Sequence, residues 1–244
     1  MTNDPKGKEE RVKKIFIALC VFLLVASPCW AVLDNAEAKW RAAESLRRQH
    51  KLDKAEEMLK EAIRLDPDFF PAYISLACIK YIRTDFEGTV RLISKVMQED
   101  SGRMDANSYV QACILYAAAK GTLAHSGGLM SKIINGKAAL DSLRKAEKLQ
   151  PDSASVLYGF GNYYLLAPFI AGGNLKKAEE YLNKAIEADP LLADAYVRLG
   201  QVYKLKGDNE KFKVYLGKAL EIDPQGELAL DIKEGTCKFI CIGE

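Results

Sequence analysis

The residues able to do covalent or metal chemistry are few and far apart. The chain of 244 residues holds two histidines, His50 and His125, and six cysteines, Cys20, Cys29, Cys78, Cys113, Cys237 and Cys241. A zinc site needs several such ligands at close, regular spacing, and haem attachment needs two cysteines followed by a histidine. Neither pattern occurs, so no metal and no cofactor is expected. A catalytic nucleophile needs a base placed beside it, and neither histidine stands in a recognisable motif. Gly159-Phe160-Gly161 lacks the lysine-serine ending of a phosphate loop and falls inside an expected helix. The expected activity is therefore binding, not catalysis: the chain does not read as an enzyme.

Charge narrows the partner. Lysine and arginine number 35 against 33 acids, a net charge of +2, so no global field favours nucleic acid or an acidic membrane surface, and no nucleic acid is expected. With 49% hydrophobic and 28% charged residues the composition is that of a globular protein.

Positioning begins with an address. A basic run, Lys6 to Lys14, leads into the apolar Ile15 to Ala26, and Ser27-Pro28-Cys29-Trp30-Ala31 closes with small residues before Val32. This is the layout of a secretory signal peptide, expected over residues 1–31, with an apolar core short of the ~20 residues that span hydrocarbon. Export to a bacterial periplasm is expected. The alternatives are membrane anchoring by an uncleaved signal or by lipidation of Cys29, although Pro28 stands where the lipoprotein pattern wants glycine or alanine. The membrane enters the reading only through this segment.

Behind the leader the chain is periodic. The triple Ala55, Ala62, Pro67 recurs as Ala139, Ala146, Pro151, as Ala178, Ala185, Pro190, and as Phe212, Ala219, Pro224. Three residues before each second alanine stands a leucine: Leu59, Leu143, Leu182 and Leu216. Small residues seven apart make a flat helical stripe that a neighbouring helix can approach closely, and the leucine supplies the buried knob. The proline, usually after an aspartate, ends the helix. In the last unit Tyr196, Leu199, Gly200 and Tyr203 precede the turn Lys206-Gly207-Asp208.

These residues resemble the tetratricopeptide repeat family, whose unit of roughly 34 residues carries an aromatic, leucine, glycine and tyrosine on its first helix and small residues with a proline on its second. The resemblance implies an all-α, right-handed superhelical solenoid of helix-turn-helix units. Five are expected, at about 36–69, 70–103, 104–153, 154–192 and 193–226, with 227–244 as a C-terminal cap. The second is the most worn, with Thr89 and Val96 at the small positions and no proline. The third is interrupted by 121–136, read as a long loop between helices ending at Lys120 and resuming near Lys137. The fourth carries an apolar insertion at 165–174, whose Pro168, Gly172 and Gly173 before Lys177-Ala178 resemble a feature of the periplasmic repeat lipoproteins that accompany tripartite (TRAP) solute transporters.

In this family first helices line a concave groove, and carrying its positions over unit by unit gives the expected partner-binding set: Trp40, Arg47, Tyr81, Tyr158, Asn162, Gln201 and Lys204. Ile74, Val110, Ile114 and Leu165 fall on the same register. The surface suits an extended or helical peptide, with aromatic anchors and amide hydrogen bonding. Chaperone-tail binders of the family clamp a terminal carboxylate with lysine and asparagine. Trp40 and Glu44 hold those positions here, so that activity is not implied. The expected function is an exported scaffold that binds a protein or peptide; the alternative is a solute- or peptide-binding accessory of a transport system. For Cys78 and Cys113, on successive first helices, both a neighbouring pair and buried free thiols fit.

Overall fold

The computed structural model describes residues 35–99 and 102–236. The leader, Cys20, Cys29, Cys237 and Cys241 lie outside the described residues, as does the end of the expected cap beyond Thr236. Among the described residues every regular element is helical, and the chain divides into two compact units, 1–72 and 73–244.

The first unit contains α1 (Ala36–Arg48), α2 (Leu52–Leu65) and the opening turn of α3 (Phe70–Ile82). Asn35 starts α1: its side-chain oxygen accepts from the Ala38 amide at 2.7 Å, satisfying one of the amides a helix start leaves open. On α2, Ala55, Leu59 and Ala62 form one fully buried stripe, the pattern of the sequence triple. Burying a leucine of this kind contributes about 2 kcal/mol. The helix stops where Asp66, before Pro67, turns extended, and the Asp66 carboxylate then accepts from the Asp68 amide at 2.9 Å.

The same stop recurs in the second unit. Asp189 and Asp223, each before a proline, are extended and accept from the amides two residues on, Leu191 at 3.0 Å and Gln225 at 3.1 Å. The turn inside three of the helix pairs also repeats: His50, Thr84 and Gly207 all adopt a left-handed backbone, with φ of 56°, 61° and 83°. The next residue's amide reaches back five residues in each, Lys51 to Leu46, Asp85 to Lys80 and Asp208 to Tyr203, at 2.9 to 3.0 Å. Only Gly207 adopts this conformation without steric cost.

The second unit continues with α4 (Phe86–Glu99), α5 (Ala106–Ser126), α6 (Leu129–Leu149), α7 (Ala154–Leu166), a 3-10 turn (Phe169–Ala171), α8 (Leu175–Ala188), α9 (Ala193–Leu205), α10 (Asn209–Ile222) and α11 (Glu227–Glu234). Helices adjacent in sequence pair as antiparallel neighbours, while the first helices α5, α7 and α9 also touch one another in order. Ile93, Leu143 and Leu182 are the buried knobs, between small partners that are themselves buried. Thr89 shows how the worn repeat survives. Its hydroxyl donates within the core, to the Asp85 carbonyl at 2.9 Å and the Ala77 carbonyl at 3.3 Å, so the extra oxygen is accommodated. Leu228 and Ala229 of α11 bury against Tyr196, Val197 and Ala219, covering one side of α9 and α10.

Residues 121–136 depart from the expected loop. They lengthen both helices of the pair, α5 by running on to Ser126 and α6 by starting at Leu129, so that Gly127 and Gly128 alone form the turn. Gly121 and Gly136 sit inside helices, where a single glycine costs about 1 kcal/mol and does not by itself end the element. Tertiary bonds hold the extension: Ser131 donates to the Leu123 carbonyl at 3.0 Å and Lys120 to Asn135 at 3.0 Å. Cys113 is buried and Cys78 half-buried.

Candidate functional site

The long hairpin and the 165–174 insertion together wall a recess in the second unit. The insertion leaves α7 at Ala167 and turns over at Gly172, whose φ of 93° favours glycine. At Gly173 a Cβ would sit 1.8 Å from the Ala167 carbonyl oxygen, so no larger residue fits the turn. Tyr163 ties the turn down by donating to the Ala171 carbonyl at 2.6 Å, and Asn174 caps α8 through the Lys177 amide at 3.0 Å.

The recess is a partly open, largely apolar space between α5, α6, α7 and the insertion. Small residues create it: Ala117, Ala118 and Gly121 from α5, Gly136 and Ala139 from α6, Gly159 from α7. Leu166, Pro168 and Ala171 of the insertion form another wall. At Gly121 and Gly136 an added Cβ would meet nothing within 4 Å. From α3, Tyr81 packs against the Tyr196–Val197 cluster of α9 and places its hydroxyl 3.5 Å from Thr122 Oγ1.

A few polar groups converge on this apolar space. Arg198, only 2% exposed, donates from Nη1 to Gln201 Oε1 at 2.8 Å, and its side chain also meets the Tyr158 hydroxyl. Burial pushes the Tyr158 and Tyr81 phenols well above their ordinary range. Burial likewise raises Asp194, four residues before Arg198 on α9, with the guanidinium pulling the other way. His125 is held below its usual value by burial and then by the positive charges of Lys132 and Arg198, so it is neutral at physiological pH. The side-chain oxygen of Asn162 is buried and has no hydrogen-bond partner among the described residues. Leaving such an acceptor unmet costs about 1–3 kcal/mol. A bound N–H or O–H donor would recover it. An apolar cavity with a few convergent polar groups is the ordinary form of a binding site.

Of the expected set, Tyr81, Tyr158 and Asn162 come together in this recess. Gln201 does not line it; it is 2% exposed and supports Arg198 from behind. Lys204 lies 5.5 Å from the Phe212 ring centre, on its own helix pair. Trp40 and Arg47 belong to the first unit, where Trp40 meets Phe69 edge-on at 5.9 Å and Arg47 pairs with Glu44 at 2.8 Å. Ile74, Val110 and Leu165 are core residues, whereas Ile114 lines the recess. Sequence reasoning missed Arg198, Thr122 and Lys132. Arg198 was within reach, three residues before Gln201 on a helix already read as lining the groove. Thr122 and Lys132 lay in the segment read as a loop.

Antiparallel helix pairs with repeated buried stripes and stops define an α-helical repeat protein. Tetratricopeptide repeat models match residues 36–69, 193–225 and 135–190, together about half the chain, and the chain belongs to the tetratricopeptide repeat family. Among solved structures it resembles the Thermus thermophilus repeat protein TTC0263, at 19% identity and a TM-score of 0.67, over 82% of this chain and 97% of that one. It also resembles PilW, described as a widely conserved type IV pilus biogenesis factor, at 15% identity and a TM-score of 0.55, over 95% of this chain and 100% of that one. A human relative, the protein O-mannosyl-transferase TMTC1, is 22% identical over 194 residues, 77% of this chain. The chain spans only 19% of that relative's length.

Proposed function

We propose that the chain is an exported, non-catalytic scaffold that holds a protein or peptide partner against its first helices, with the recess of the second unit taking an apolar side chain. The observation that carries this reading is the buried Asn162 oxygen, without a partner among the described residues, in a space lined by small apolar side chains. An extended peptide supplies both of the things missing there: a backbone N–H for Asn162 and an apolar group for the void. Lys204 extends the contact surface on α9, and Trp40 and Arg47 are proposed as partner contacts of the first unit by itself. Gly136→Leu fills the recess from a position where the new side chain points into open space. In-cell crosslinking then recovers a discrete complex with the wild type and loses it with this variant; an undiminished complex refutes the role of the recess.

A second reading, a solute-binding accessory of a transport system, is favoured by one feature: Leu166, Pro168 and Ala171 of the insertion wall the recess. It predicts that native mass spectrometry of the purified chain finds a bound small molecule, absent from Gly136→Leu. Export itself rests on the leader. Sequencing the mature N-terminus is expected to read from Val32; a blocked, lipidated Cys29 would replace the cleaved signal with an anchor.

A further inference from the structure

The exposed apolar side chains of the second unit are not evenly spread. On the first turns of α6, Leu129, Met130, Ile133 and Ile134 are exposed to 61%, 67%, 48% and 59%, and on the adjoining 3-10 turn Phe169 and Ile170 reach 91% and 72%. The two segments touch, since α6 packs on the turn. On α6 the four positions share one helical face, turned away from Ser131 and Asn135, which bond toward α5. Two neighbouring segments thus present clustered apolar side chains to solvent, the kind of exposure that marks an interaction surface.

Charge selects the partner. The chain as a whole balances 35 basic residues against 33 acids, yet no acid occurs between Asp105 and Asp141 or between Asp152 and Glu179. Those two stretches contain Lys120, Lys132, Lys137, Lys176 and Lys177. Lys137 is exposed and falls in the middle of the apolar face, while Lys176 and Lys177 stand on the first turn of α8, beyond Gly172-Gly173-Asn174. Protein interfaces favour tyrosine, tryptophan and arginine and are depleted in lysine. Protruding leucine, isoleucine and phenylalanine beside Lys137, Lys176 and Lys177, with Glu180 an acid within electrostatic reach of the last two, match instead the boundary between anionic headgroups and acyl chains.

We propose that the tip formed by the start of α6 and the 3-10 turn docks on an anionic lipid surface, with Phe169, Ile170 and the α6 face entering the acyl boundary and Lys137, Lys176 and Lys177 meeting the headgroups. This contact is separate from the leader.

The test uses the full chain carrying Phe169→Trp, mixed with vesicles whose brominated acyl chains quench tryptophan. Phosphatidylglycerol–phosphatidylethanolamine vesicles are compared with phosphatidylcholine vesicles. Quenching beyond that of Trp30 and Trp40 in the wild type is expected on the anionic vesicles and not on the neutral ones. Lys137→Glu with Lys176→Glu should weaken tip binding at least fivefold for each lysine removed. An unquenched Phe169→Trp on vesicles that the chain nonetheless occupies overturns the proposal, because the leader alone is then holding it. Ile134→Ser with Phe169→Ser, checked for retained helicity by circular dichroism, gives an independent readout. Loss of tip binding supports the proposal. Unchanged binding, or a wild-type dimer that this variant dissolves, overturns it in favour of a protein interface.

Discussion

Two glycines on the walls of the second unit should respond oppositely to the same added methyl group. Gly136, inside α6, faces the recess, and a Cβ there meets nothing within 4 Å. Gly161, inside α7, faces α8: a Cβ would stand 2.7 Å from Leu182 Cγ and 3.2 Å from the Leu182 backbone nitrogen. Both substitutions gain about 1 kcal/mol from exchanging glycine for alanine in a helix interior. Gly136→Ala keeps that gain, which for a domain of this size raises Tm by about 2–4 °C. At Gly161 the methyl must displace Leu182, a completely buried knob, at a cost of about 1–3 kcal/mol. Gly161→Ala is thus expected to be neutral to destabilised by about 2 kcal/mol. Thermal unfolding followed by circular dichroism at 222 nm, backed by urea titration, reads both. Destabilisation by Gly136→Ala would refute the reasoning, since it would mean that the recess is already filled by packed atoms. Stabilisation of both variants would deny the tight α7–α8 approach.

Three further outcomes follow from named contacts. Thr84 is β-branched and left-handed at φ 61°, so Thr84→Gly should gain about 0.5–1 kcal/mol by urea titration; a loss would contradict the turn geometry. Asp105 caps α5 through the Ser108 amide at 3.0 Å and its hydroxyl at 2.5 Å, bonds that hold its carboxyl below the usual range. Asp105→Ala should cost about 1 kcal/mol at pH 7. Because the folded pKa is depressed, that difference is present above the ordinary carboxylate value and shrinks as pH falls through the folded one; a deficit independent of pH would contradict the cap. Arg198→Leu removes the charge that partly offsets the burial of Asp194, and should cost about 3 kcal/mol at pH 7. Asp194 has a raised folded pKa, so the variant's deficit should grow as pH rises from 4 to 7; a deficit that shrinks would place the carboxylate elsewhere.

The repeat was legible because the same local solution recurs. Ala55–Ala62, Ala139–Ala146 and Ala178–Ala185 announce buried stripes at fixed spacing, and each Asp-Pro announces a stop, since both effects act within a turn or two of helix. The recess was only half legible. Tyr81, Tyr158 and Asn162 follow from the register of first helices, but the void between them arises from Gly121 and Gly136, which read as loop residues in a glycine-containing stretch. Whether such glycines break a helix or face a cavity depends on what packs beside them, here the bonds from Ser131 and Lys120, and no local pattern carries that information. Gln201 shows the converse. Its position on the groove face was right in register, yet the approach of Tyr81 to α9 covers that part of the face and leaves Gln201 to hold Arg198.

The central claim, that the recess receives a partner's side chain, is tested most directly by placing a benzophenone amino acid at single positions and irradiating cells. At Leu166, on the recess wall, a single discrete adduct is expected; at Val214, exposed to 66% on the second helix α10, none is expected. Adducts from Val214 with none from Leu166 would place the interaction on the second helices and contradict the account.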